Sequence, residues 1–142
     1  MSDSYDLGRF LLAQAPVYAR VCAELAAGCK RTHWMWFIFP QLKGLGASPM
    51  ARRYAIGSLA EARAYLAHAL LGARLIECTQ LVNTARAVRI EEIFGYPDDL
   101  KFRSCMTLFA HAQPHAPAAP FRAALQRYFA GVEDARTLAL LT

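Results

Sequence analysis

KRTHWMWFIFPQLKGLG, residues Lys30 to Gly46, is the stretch on which the reading of this chain turns. Both tryptophans of the protein, Trp34 and Trp36, fall within its six consecutive apolar residues, Trp34 to Phe39. A membrane-spanning helix needs about 20 apolar residues in a row, so this run is a piece of a soluble core. It shows neither one helical stripe nor a strict alternation. A segment apolar on every side must be covered on every side, so it is expected to thread the middle of the fold. The polar residues at its ends are then held at the edge of an aromatic core, which is what a small-molecule pocket requires.

Outward from that stretch the signals are helical. Asp3 or Ser4 can cap a first helix reaching Gln14, and Pro16 suits the first turn of a second. In the second, Val17, Val21 and Leu25 recur every fourth residue and Gly28 supplies the stop. Ser48-Pro49 opens a helix to about Ile56. Ser58 followed by Glu61 is a capping box ahead of Leu59, Ala62 and Leu66. Leu71, Leu75, Cys78 and Val82 trace the next buried stripe, and a short helix from Arg89 to Phe94 ends at Gly95. Pro97 and the acidic Asp98-Asp99 then form a favourable helix start, because carboxylates complement the positive N-terminal end. Phe102, Cys105, Met106 and Phe109 face inward from it, and Asp99 can pair with Arg103. His111 to Pro120, with three prolines, reads as a loop. Phe121, Leu125, Tyr128 and Phe129 share one face of a following helix, and Asp134 caps a last one bearing Leu138 and Leu141. No strand, repeat or low-complexity tract is visible, so the expectation is an all-α single domain of irregular layout over residues 1–142.

A chain of 142 residues, 56% hydrophobic and 19% charged, can bury a core without metal or disulfide support. Its four cysteines are scattered, with no two-residue spacing, and are read as reduced thiols. The start MSDSYDLGRF lacks a basic-then-apolar pattern, so the expected location is cytoplasmic, with no membrane span. The net charge is +5, and thirteen of the sixteen cations are arginine. They lie scattered along the helices rather than in one block, which points away from nucleic acid and toward an ordinary basic surface.

Residues able to carry chemistry gather in two places. His33 is a candidate general base and Asp98 a candidate acid or water-orienting group. Trp34 and Trp36 cannot share one helix face, so one belongs to the core while the other can cover a ring-shaped ligand. Gln41 offers an amide for recognition, Lys43 and Lys101 offer charge, and Ser104 a hydroxyl. Lys43 to Ser48 joins a cation and two glycines to a helix start, an arrangement that can cradle an anion with backbone N–H groups. Each has a plainer reading: a structural hydrogen bonder for His33, a backbone cap for Gln41, a turn for Lys43–Ser48, a helix-start charge for Asp98. His111 and His115 are four apart, but Pro114 between them breaks a shared helical face, so no metal and no cofactor are expected.

KRTHWMWFIFPQLKGLGAS (Lys30–Ser48) and IFGYPDDLKFRSCMTLF (Ile93–Phe109) resemble the two hallmark blocks of the bacterial domain-of-unknown-function family 1810. The similarity extends to DLGRFLLAQAPVYARV, YAIGSLAEARAYLAH and RYFAG, essentially the whole chain. It implies a compact all-helical fold and leaves the activity open. Some members carry the label calpastatin, which names a long disordered inhibitor unlike this apolar, well-capped chain. FGYPDDLKFRSCMTLF is also loosely similar to a block of helical domains linked to NAD and ADP-ribose metabolism, which would imply a hydrolase. The expected partner is therefore an anionic, nucleotide-like small molecule bound between the two blocks. A non-catalytic adaptor domain is the alternative, and oligomeric state is left open.

Overall fold

The computed structural model of the chain describes residues 3–113 and 119–142, which form ten helices and no strand. The first two helices, α1 (Gly8–Gln14) and α2 (Tyr18–Ala26), begin later than the capping signals suggest. Asp3 does cap, but from further out: its carboxylate accepts the N–H groups of Leu7 and Gly8 at 2.6 and 2.7 Å. Gly28, at φ +76°, turns the chain out of α2 in a conformation that glycine adopts without strain. The apolar run then folds into a single helical turn, α3 (Met35–Ile38). From Trp34 to Pro40 every residue is buried except the half-buried Trp36.

Helices α4 (Pro49–Arg53) and α5 (Leu59–Ala67) start where the sequence places them. Ser48 Oγ accepts the Ala51 N–H and Ser58 Oγ the Glu61 N–H, each at 3.1 Å. However, α4 ends at Arg53 instead of Ile56, because Ile56 is drawn into a bridge with Leu42. Its N–H donates to the Gln41 carbonyl at 2.9 Å, and its own carbonyl accepts from Lys43 at 2.8 Å. That bridge anchors both ends of the segment carrying Gly44 to Ser48. The capping box is also reworked, since Glu61 reaches back to the Gly57 N–H and to Arg9.

Helix α6 (Ala69–Thr84) buries Leu71, Leu75, Cys78 and Val82 as expected. After the short α7 (Ile90–Phe94), α8 (Asp98–Ala112) runs through the centre. Ser104 to Ala110 are all buried, so this helix is covered on every side, with α5, α7, α9 and α10 packed around it. It also absorbs the start of the expected loop: His111 is helical and pairs with Glu133 at 2.9 Å. His115 lies outside the described residues. Helix α9 (Ala119–Phe129) buries Phe121 and Leu125. Helix α10 (Ala135–Leu141) buries Thr137, while Leu138 and Leu141 stay partly exposed. Thr137 is held by the Asp134 cap, which accepts both its N–H and its hydroxyl.

The two blocks meet in an aromatic cluster. Phe102 of α8 packs edge-on against Phe39 at 5.1 Å and is stacked with Phe94 at 5.0 Å. Trp34 lies against the same pair, 6.2 Å from Phe39 and 6.4 Å from Phe94, and so reaches Phe102 through them. No helix among the described residues is long and apolar enough to cross a membrane.

Candidate functional site

Glu24, on the inward face of α2, fixes the first block. Its carboxylate is 7% exposed and accepts the N–H of Arg31 at 2.7 Å and of Thr32 at 3.0 Å. It also accepts the Thr32 hydroxyl at 2.7 Å and the indole N–H of Trp34 at 3.0 Å. Burial works against its charge, but these four donors outweigh burial and hold the carboxyl down at about 2. One ionised group thus sets the path of the chain into the core and the orientation of Trp34.

Lys30 then ties this block to α8. Its N–H donates to the Ile93 carbonyl at 2.7 Å, and its ammonium lies 3.0 Å from Asp98 and 5.2 Å from the Trp34 ring. The other oxygen of Asp98 is 3.4 Å from Lys101, whose ammonium stands 5.7 Å from the ring of Trp36. Asp98 therefore bridges two lysines, each set over one of the two tryptophans. Its neighbour Asp99 does not pair with Arg103, as the four-residue spacing suggested. Arg103 donates to the Val132 carbonyl instead, and Asp99 is buried with Oδ1 lacking any partner among the described residues. Burial pushes the Asp99 carboxyl up, and the like charges of Glu91 and Asp98 add to this.

Beyond Lys101 the surface opens. A cleft of about 400 Å³ lies between the Leu45–Ala51 segment and α8, in the size range of ligand pockets. Gln41, Ser48, Lys101, Ser104, Asp134 and Arg136 supply its polar groups. A second concavity of about 310 Å³ lies on the other side of the loop, where Lys43 and Arg52 flank Gly44 and Gly46. A recess of only about 10 Å³, lined by Trp36, shares wall residues with both and has room for about one water molecule. Gly46 lines all three. A Cβ there would stand 2.6 Å from that of Ala51, so only glycine lets the loop lie this close to α4.

The structure thus gathers Trp36, Gln41, Lys43, Lys101 and Ser104 around one loop. Trp34 is 1% exposed and spends its N–H on Glu24, so it is the core tryptophan of the pair. His33 is exposed and lines none of the three concavities; nor does Asp98. The Ser104 hydroxyl donates to the Leu100 carbonyl at 3.1 Å, which suits a hydrogen-bond acceptor on the cleft wall better than a nucleophile. Among the described residues, no group of three or more His, Cys, Asp or Glu side chains is placed to hold a metal ion. Sequence reasoning missed Arg52, Arg136 and Glu24. Only Glu24 had a readable signal, a carboxylate between Val21 and Leu25 on an otherwise apolar face.

The comparisons with known proteins agree with the all-helical fold. Residues 4–141 match the family model DUF1810, described as a protein of unknown function. A crystal structure of the conserved hypothetical protein Rv1873 from Mycobacterium tuberculosis superposes with a TM-score of 0.95. The two sequences are 61% identical, and the alignment covers 98% of each chain. No protein of curated function matches. On a match spanning nearly its whole length, the chain belongs to the DUF1810 family, a family of unknown function.

Proposed function

We propose that this protein binds a small anionic ligand, phosphate-bearing and nucleotide-like in size, in the cleft between the Gly44–Ser48 loop and α8. The observation that carries this reading is the loop's unused backbone donors. The N–H groups of Gly44, Gly46, Ala47 and Ser48 donate to no acceptor among the described residues. Backbone N–H groups require a partner, and those of an exposed loop use water until a better acceptor arrives. Successive free amides beside cations form an anion-binding concavity. Here Lys101 and Arg136 line the adjoining cleft, with Gln41 and Ser104 on its walls to orient a polar ligand.

Binding fits this site better than a reaction does. Asp98, the candidate acid for a hydrolase, is engaged by Lys30 and Lys101 and lines neither side of the loop. In this reading it competes with the ligand for Lys101. Isothermal titration with orthophosphate and with adenosine monophosphate tests the proposal. A ligand at 100 times its Kd raises stability by about 2.7 kcal/mol, so a thermal shift reports the same event. The double variant Lys101→Ala, Arg136→Ala is expected to lose both signals while keeping the wild-type fold. Equal binding by the variant would remove the cleft from consideration. Asp98→Asn separates the two roles of the aspartate. Freed from its partner, Lys101 should bind phosphate at least as well, whereas a ligand-contacting Asp98 predicts loss.

A further inference from the structure

We infer that the ligand carries two separated anionic groups and lies across Gly46, one end in each concavity. The inference rests on the anion-binding reading above and goes beyond it in the class of ligand: a bis-anion rather than a single phosphate. Both concavities carry cations, and the one against α8 also has Asp134 on its wall. Lys101 and Arg136 line the one against α8, Lys43 and Arg52 the one against α4. Lys43, Arg52 and Arg136 have no ion-pair partner among the described residues, although the chain holds eleven acidic side chains. Asp98 already pairs with Lys101 and Asp134 shares the cleft with Arg136, whereas no carboxylate among the described residues lines the concavity of Lys43 and Arg52, so a single small anion in the cleft would leave that second pair uncompensated.

Small residues separate the two concavities. Gly46 and Ala47 line both sides, and the closeness of Ala51 requires that position 46 have no side chain. A larger residue at 46 would clash with α4, toward which its Cβ would point. A ligand crossing here meets backbone amides in the middle and a cation pair at each end. That pattern fits an elongated molecule such as a polyphosphate or a nucleotide with phosphates at two positions.

Titration with orthophosphate and inorganic tripolyphosphate, at fixed ionic strength, tests this. The wild type is expected to bind tripolyphosphate at least tenfold more tightly. Lys43→Ala, Arg52→Ala should abolish most of that advantage, lowering tripolyphosphate affinity far more than orthophosphate affinity. Arg20→Ala, Arg86→Ala removes the same charge from exposed positions outside the loop and should leave the advantage intact. If the advantage falls equally in both double variants, it reflects overall charge and the two-ended site is wrong. If the Lys43, Arg52 variant keeps the full advantage, the second concavity plays no part and the inference fails, while the single-anion cleft stands. If Lys101→Ala, Arg136→Ala leaves orthophosphate binding unchanged, or the wild type binds neither probe, both readings fail together.

Discussion

A carboxylate that accepts four hydrogen bonds in a nearly closed site contributes only while it is ionised, which makes Glu24 a pH-dependent fastener. Its folded-state pKa, about 2, lies below the ordinary 4.5, so its stabilisation is complete above pH 4.5 and is lost as pH falls toward 2. Wild-type denaturant midpoints should therefore drop on acidification through that window, and those of Glu24→Gln should drop less. At neutral pH the same substitution is expected to cost about 2–4 kcal/mol, since charged hydrogen bonds are lost and buried donors left unmatched. A neutral-pH cost under about 1 kcal/mol would show that the first block is positioned by packing alone. The indole held by Glu24 is fully enclosed, and Trp34→Ala should cost roughly 3–5 kcal/mol by the same unfolding measurement.

Among the elements, the starts of α4, α5 and α10 were legible because a cap is decided within four residues. Ser48, Ser58 and Asp134 each accept the N–H three positions on, as their spacing indicates. Helix ends were less so. Nothing local to Arg53 says that Ile56 will pair with Leu42, or that Arg9 will reach the Arg53 and Ala55 carbonyls and Glu61. The inward choice of Thr137 over two leucines in α10 follows from its cap, a contact the leucine spacing could not reveal. The candidate site divides in the same way. The cradle-like order of Lys43 to Ser48 was readable, whereas Arg52 and Arg136 join it only through the fold. Gly46 gives the sharpest test of the loop. Gly46→Ala should destabilise by about 1–3 kcal/mol through overcrowding against α4. Adding Ala51→Gly should restore most of the loss, and no restoration would mean that another contact limits position 46.

For the molecule as a whole, the all-helical class followed from stripes and caps, and the meeting of the two blocks from their need for cover on every side. The order of packing around α8 did not, because a helix buried all round carries no stripe to orient it. All four cysteines are free thiols. Burial pushes Cys22 up and Cys78 up to about 12, and Cys105 well above the ordinary thiol range, so these three stay protonated at neutral pH and react slowly. Thermal midpoints with and without reductant should coincide. A clear drop in reductant would reveal a disulfide in the protein as purified.

The two tryptophans also make the protein its own spectrometer. Trp34 is sealed beside Phe39 and Phe94, while Trp36 sits half-buried at the site under the Lys101 ammonium. Because they occupy different surroundings within one turn of chain, their emission separates. Trp34 should fluoresce in the blue and respond to unfolding. Trp36 should respond when an anion draws Lys101 away from its ring. A Trp34→Phe chain would then report occupancy of the cleft with no added dye, and a Trp36→Phe chain the integrity of the core.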